Sequence, residues 1–372
     1  MILQRINLNN FKNISAAALQ FSPKINCFLG DNGMGKSNLL DAIYFLSFCK
    51  SFTGMPDTML VRRGEEFTMA EATYLRRGTE EDITAAIAKG KRKSFKRRGK
   101  EYQRLSSHIG LLPLVMVSPR DMELINGAGE DRRRFIDMVI AQGDPTYLDQ
   151  LIRYNRALQQ RNTMLREATA DTNLFLAVEM SMAASGAYIH KARSRQIEQL
   201  TGIFNRYYTA IAPDEDSVSL EYSSALNDGG DLAEMLEASR QRDRILHHTT
   251  VGPHRDDIAM SLAGMPVRRA ASQGQAKTYT IALRMAQYEF LAQATGMKPL
   301  LLLDDIFDKL DASRVSRIMQ LASSPTFGQI FITDTNRRHL DAIIADTAPG
   351  DYRLWSVHTG QFSALTPCQF DL

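Results

Sequence analysis

Gly30-Asp31-Asn32-Gly33-Met34-Gly35-Lys36-Ser37 fits the pattern G-x-x-x-x-G-K-[ST], and it stands between an apolar run at residues 25–29 and a helical pattern at residues 35–48. That order predicts strand, phosphate loop, helix. The glycines let the backbone wrap a phosphate with its N–H groups, and the start of the helix adds a favourable dipole. Lys36 would reach the outer phosphates, and Ser37 would ligate a magnesium ion. A phosphate loop of this kind belongs in an α/β fold.

Downstream, Leu300-Leu301-Leu302-Leu303 is short enough for a buried parallel strand and ends abruptly in Asp304 and Asp305. Asp304 is placed where a carboxylate holding Mg2+ belongs, and Asp305 would project from the other side of the strand end to polarise an attacking water. About two dozen residues earlier, Ser272-Gln273-Gly274-Gln275 precedes a helical pattern through Ile281, Leu283, Met285 and Tyr288. A serine hydroxyl and a glycine backbone at a helix N-terminus form a second place for an anion.

The 372 residues are 44% hydrophobic, enough to bury the core of one large or two ordinary domains. The apolar runs fall far short of the roughly 20 residues needed to cross a bilayer, so no membrane role is expected. Residues 1–8 alternate apolar and polar, which predicts a strand and not a signal peptide. Cys27, Cys49 and Cys368 lie too far apart in sequence for a close-spaced metal motif, and a reducing cytoplasm is the expected location.

The net charge of +3 does not by itself argue for an anionic partner, yet residues 89–100 carry eight Lys or Arg and no acid. Two readings stay open for that stretch. It is a solvated turn between strands, or a hairpin whose Lys91, Arg92, Arg97 and Arg98 contact DNA phosphates without reading bases.

Strands are expected at residues 2–8, 16–21, 25–29, 67–74, 82–88 and 111–117. Residues 129–248 turn to Ala, Met, Leu, Gln, Glu and Arg with helical spacing of apolar positions, which predicts an inserted all-helical lobe. Ser185, Gly186 and Gly202 interrupt any heptad seam, so the helices should pack compactly. The α/β texture returns after residue 249, with a strand at 258–262, a helix at 275–294 and strands at 300–303 and 329–333. The expectation is one core built from residues 1–128 and 249–372, with residues 129–248 inserted.

With these elements in order, the chain resembles the ABC/SMC superfamily of ATPases. Its signature usually reads LSGGQ, and the Ser272 segment is similar to it. Asp308-Lys309-Leu310-Asp311 resembles the superfamily's D-loop, and Ile330-Phe331-Ile332-Thr333-Asp334-Thr335 the strand ending at its switch, here without the usual histidine. Within the superfamily, Asn10-Phe11-Lys12-Asn13 and the GDNGMGKSN loop look like the SMC and RecF branch. Two sets of strings resemble the RecF family in particular: residues 118–122 with 132–137, and Gly252-Pro253-His254-Arg255-Asp256-Asp257. Ala276-Lys277 departs from that family's more usual Gln-Arg.

The resemblance covers essentially the whole chain and implies an ABC-type ATPase of recombinational and replication-gap repair. Such a protein would bind ATP and Mg2+, with Lys12 approaching the nucleotide, dimerise when ATP-bound with the signature acting in trans, and hydrolyse ATP slowly. It would bind double-stranded DNA near single-strand junctions, help load recombinase, and work with RecO and RecR. Other classes fit less. A transporter ATPase does not need the 236 positions that separate Lys36 from Ser272, and an SMC protein needs hundreds more with a heptad seam. A small-molecule kinase has no use for the signature. A scaffold that binds ATP without turnover would be separated from an enzyme by phosphate release.

Overall fold

A computed structural model describes residues 1–169, 171–308, 310–337, 341 and 351–365. The chain opens with β1 (Ile2–Phe11), β2 (Ile14–Gln20) and β3 (Ile25–Leu29), enters α1 (Lys36–Phe48), and continues through β4 (Phe67–Arg76), β5 (Thr79–Ala88), β6 (Ser94–Arg97), β7 (Lys100–Glu101) and β8 (Leu114–Val117). Its middle supplies α2 (Glu123–Asn126), α3 (Gly129–Gly143), α4 (Pro145–Arg166), α5 (Thr172–Ile211), β9 (Val218–Ser223), α6 (Leu232–Leu246), β10 (Asp257–Leu262), β11 (Met265–Pro266) and α7 (Val267–Ala270). The last stretch brings α8 (Gln273–Thr295), β12 (Leu300–Asp304), α9 (Ala312–Ala322), β13 (Ile330–Asp334), β14 (Tyr352–His358) and β15 (Gln361–Leu365).

Contacts divide the chain into two compact units. One joins Met1–Asp121 to the described residues from Gln287 onward, and the other is Met122–Ala286. The first unit holds two six-stranded sheets, ordered β2-β1-β4-β5-β6-β7 and β15-β14-β3-β13-β12-β8. In the second sheet β14, β3, β13, β12 and β8 run parallel. Parallel strands are covered on both faces, so they read as unbroken apolar runs, as in Leu300-Leu301-Leu302-Leu303, where all four side chains are buried.

The first sheet is antiparallel, and its strands alternate inward apolar and outward polar residues. In β5, Ile83, Ala85 and Ile87 are buried while Thr84 and Ala86 are less so. Helix α1 touches strands of both sheets. That explains its composition, since Leu39, Leu40, Ile43, Tyr44, Phe45 and Leu46 are all buried and no polar face remains. Gln329, fully buried, ties the sheets at their edge: its amide donates to the carbonyls of Leu3 (2.8 Å) and Ser22 (2.7 Å) and accepts from the Leu3 N–H (2.7 Å).

In the second unit residues 129–248 hold the helices α3, α4, α5 and α6 and one strand. Val218–Ser223 forms β9, because Val218, Leu220 and Tyr222 alternate with exposed Ser219, Glu221 and Ser223, a period of two inside a helix-rich stretch. It pairs with β10 to make, with β11, a three-stranded antiparallel sheet. Residues 249–286, expected to belong with the core, therefore group with the helices. Helix α5 runs 40 residues unbroken through Ser185, Gly186 and Gly202.

One buried cation organises the helices. Arg161 of α4 is fully buried and donates to Glu179 of α5 (3.0 Å), to Asp243 of α6 (2.6 Å), and to Thr249 (2.9 Å). Glu179 is also held by Arg240 at 2.6 Å. Replacing Arg161 by Met would leave two buried carboxylates short of a partner. The loss should be roughly 3–5 kcal/mol, read as a fall in the denaturant midpoint of the helical circular-dichroism signal; a shift equivalent to under about 1 kcal/mol would mean that Arg240 and the hydroxyls compensate Glu179 and Asp243 fully.

Candidate nucleotide site

Of the segment expected to bind phosphate, Gly30–Gly35 lie between β3 and α1, and Lys36 and Ser37 open the helix. Gly35 sits at φ +110°, a conformation that a side chain resists, immediately before the first helical residue. No N-cap side chain serves this helix start, since the capping residue is Gly35 itself. The Lys36 ammonium folds back onto the carbonyls of Gly30 (2.5 Å) and Asp31 (2.9 Å). Burial draws its pKa below the ordinary lysine value, opposed by the carboxylates of Asp305, Asp304, Asp334 and Asp31. Asn32 and Gly33 are exposed at the loop's outer turn.

Because β12 lies beside β13, and β13 beside β3, three strand ends are brought to one edge. There the Ser37 hydroxyl donates to Asp304 at 2.8 Å, and the Thr333 hydroxyl donates to the same Asp304 oxygen at 2.7 Å. Burial pushes the Asp304 carboxyl above its usual value, against the pull of the Thr333 and Ser37 hydroxyls and of Lys36, while Asp305 adds to the push. A divalent cation beside Asp304 would reverse that balance.

The donor set fits Mg2+: Ser37 and Asp304 offer hard oxygens side by side, and the described residues contain no cluster of three or more carboxylate, His or Cys ligands that would make an all-protein cage. Mg2+ normally leaves its remaining positions to phosphate oxygens and water. Asp305 is half-buried in the left-handed region at φ 49°, with its N–H held by the carbonyl (3.2 Å) and the hydroxyl (3.1 Å) of Thr333. Thr333 thus holds both aspartates, Asp304 by its carboxylate and Asp305 by its main chain, a role that its sequence alone does not disclose.

Lys12, expected to approach the nucleotide, packs against α1. Its ammonium pairs with Asp41 of α1 at 2.6 Å, and both side chains are largely buried. Asp41 also accepts from the Ser51 hydroxyl (2.7 Å) and the Phe52 N–H (2.6 Å). The neighbour of Lys12 does touch the loop: Asn13 accepts from the Asn38 side chain at 2.8 Å. The hairpin of β14 and β15 also touches it, through Gly360 N–H to the Met34 carbonyl at 2.7 Å.

The signature segment lies in the second unit, where Ser272 and Gln275 form a reciprocal cap. The Gln275 N–H donates to the Ser272 hydroxyl (3.2 Å), and the Ser272 N–H to the Gln275 side chain (2.9 Å). Ser272 and Gln273 are exposed and Gly274 is half-buried. In the D-loop segment Lys309 lies outside the described residues, as does Cys368. Asp311 caps α9, accepting from Arg314 N–H (2.9 Å) and the Ser313 hydroxyl (2.6 Å).

The strings at 132–137 and 252–257 meet inside the second unit. Arg132 grips Asp257 through two bonds of 2.7 and 2.8 Å, and Arg193 of α5 joins Asp137 (2.9 Å) to the Pro253 carbonyl (2.7 Å). In the basic segment Phe95 is buried against Phe45, so it is not offered for stacking. Arg97 makes two bonds to Glu81 of β5, and Arg98 pairs with the same carboxylate at 3.2 Å. Lys91 and Arg92 are exposed, with no ion pair among the described residues.

Residues 2–348 match the RecF/RecN/SMC N terminal domain family. The chain is 49% identical to the DNA replication and repair protein RecF of Parabacteroides distasonis over 98% of this chain and 100% of that one. It is 48% identical to the protein of that name from Bacteroides fragilis over 98% and 99%. Among solved structures it is similar to the recombination mediator protein RecF with ATP in the RecFOR pathway, with a TM-score of 0.88 and 28% identity over 98% of each chain. An SMC head bound to the C-terminal winged-helix domain of ScpA shares the fold, with a TM-score of 0.58 and 17% identity over 99% of each chain. The chain belongs to the RecF/RecN/SMC family, and within it to the RecF proteins.

Proposed function

We propose that this chain is an ATPase of DNA replication and repair that binds Mg2+ and ATP at residues 30–37 and acts on DNA in the RecFOR pathway. The observation that carries the reading is the meeting of Ser37 with Asp304 beside Lys36, in a chain nearly half identical to RecF proteins along its whole length. When bound, Mg–ATP supplies the γ-phosphoryl group and the cation that balances its charge. Lys36 would leave the loop carbonyls to meet the outer phosphates, and Ser37 and Asp304 would hold the cation. Asp305, whose main chain Thr333 holds, would orient and deprotonate the attacking water.

The sequence has one phosphate loop and one signature, whereas the superfamily's chemistry needs both around one γ-phosphate. Two copies facing each other about a two-fold axis would each present Ser272, Gln273, Gly274 and Gln275 to the partner's loop. The dimer forms when ATP supplies the negative charge that the start of α8 attracts, and hydrolysis loosens it. Turnover is slow and responds to double-stranded DNA near single-strand junctions, where the protein helps load recombinase. RecR and RecO are its partners, and its place is the cytoplasm. No described helix is long and apolar enough to cross a membrane.

Asp305→Asn should retain ATP affinity and lose hydrolysis by about 100-fold or more, because an amide preserves shape but accepts no proton; phosphate release at the wild-type rate would assign the water to another residue. Ser272→Arg should leave ATP binding by the single chain nearly intact while abolishing the ATP-dependent dimer and its turnover. Sedimentation with and without ATP decides this, and a variant that dimerises as the wild type does would refute the trans arrangement.

For DNA, Lys91→Ala with Arg92→Ala should weaken binding to all duplex sequences alike and flatten the plot of log K against log salt by about 0.9 for each lost phosphate contact. Arg97→Ala and Arg98→Ala should matter less, since Glu81 already engages both side chains. An unchanged slope for the Lys91 and Arg92 pair would leave the segment a solvated turn.

A further inference from the structure

Phosphate loops bind anions because several backbone N–H groups point the same way, and in the absence of an anion those dipoles repel one another. Something must keep the loop open. Here the loop residues Gly33 and Gly35 stand at φ +80° and +110°, and no side chain caps the helix that follows. Beside the bonds of Lys36 to the Gly30 and Asp31 carbonyls, two turns outside the loop restrain it.

The first is the turn between β1 and β2. Asn13 donates from its amide to the Gly33 carbonyl (3.4 Å) and accepts from the Asn38 amide (2.8 Å), so one side chain spans the loop from its outer turn to the first turn of α1. The fit is close: a Cβ on Gly35 would stand 2.8 Å from the Asn13 oxygen. The turn is itself anchored, since Lys12 is paired with Asp41 at 2.6 Å and its N–H donates to the Leu60 carbonyl at 2.8 Å.

The second is the turn between β14 and β15. Gly360 N–H donates to the Met34 carbonyl (2.7 Å), and Thr359 N–H approaches the Met34 sulfur (3.4 Å). Gly360 adopts φ +80°, and a Cβ there would lie 2.5 Å from the Asn13 carbonyl oxygen. The first restraint is the Asn13 side chain itself, and the second bonds Met34 directly while lying against the Asn13 main chain.

We propose that Asn13 is a positioning residue of the nucleotide site, stapling the phosphate loop in its anion-receptive form, with Gly360 backing the staple from the other side. Asn13 acts on the loop's shape and not on the reacting atoms. The consequence is a division of labour in which binding depends on Asn13 and turnover, once ATP is bound, does not. A preorganised loop spends less of its phosphate interaction on ordering itself. The inference rests on the nucleotide-site reading above.

The test measures, for Asn13→Ala, the Kd for ATP with Mg2+ by calorimetry, the hydrolysis rate at saturating ATP, and the thermal midpoint without nucleotide. The expected result is a Kd weakened by about tenfold, the size of one or two lost hydrogen bonds, with the saturated rate within about twofold of wild type and the midpoint nearly unchanged. Gly360→Ala, which drives a methyl into the Asn13 backbone, should give the same split and carries the test if Asn13→Ala does not fold.

Lys36→Met is the control, expected to lose ATP binding. If Lys36→Met binds poorly while Asn13→Ala binds as wild type, the positioning role is overturned and the site stands. A saturated rate that falls together with affinity, or a loss that merely tracks a lowered thermal midpoint, overturns it as well. If Lys36→Met binds ATP normally, the nucleotide-site reading itself fails.

Discussion

The hydrogen bond from Ser37 to Asp304 joins residues 267 positions apart, and it exists only because β3, β13 and β12 lie side by side with their ends level. Everything proposed for the site depends on that alignment. A slip of one residue in either pairing would turn the strand-end side chains to the opposite face. The aspartate that would hold the cation would then point away from the serine meant to share it. Thr333 ties the register at the edge by bonding Asp304 and the main chain of Asp305.

The parts legible in the sequence were those whose signal is local. The phosphate loop has its glycines and its lysine within eight residues, and Leu300–Asp304 announces a buried strand by its own composition. The strand at Val218–Ser223 was hidden because its six residues of alternation sit in a stretch whose composition is helical. The β14–β15 hairpin carried no motif to draw notice, although Thr359-Gly360 is a turn signal between two short apolar patterns.

What could not be read was pairing between distant segments. Arg97 and Arg98 look like free cations in a basic run, but the pairing of β5 with β6 brings them to Glu81. Lys12 carries the charge expected of a nucleotide contact, and only the tertiary packing of a hairpin turn against α1 shows that Asp41 already holds it. A sequence supplies the charges, and the register decides which of them remain available. The same holds for the two RecF-like strings, whose arginines and aspartates engage each other inside the second unit.

The order of strands in the parallel sheet has a consequence for how the protein is made. On the ribosome β3 emerges early, but the two strands that flank it, β13 and β14, begin only at residues 330 and 352. Until then β3 has no partner on either edge, and α1 lacks the cover of β13. Such late pairing is slow and leaves strand edges exposed to other chains. Met122–Ala286, by contrast, is one continuous stretch and can assemble while the rest is still being synthesised. Nascent chains stalled between residues 121 and 330 would therefore carry an unpartnered phosphate-loop strand, and it is at this stage, before any nucleotide can bind, that a chaperone would be of most use.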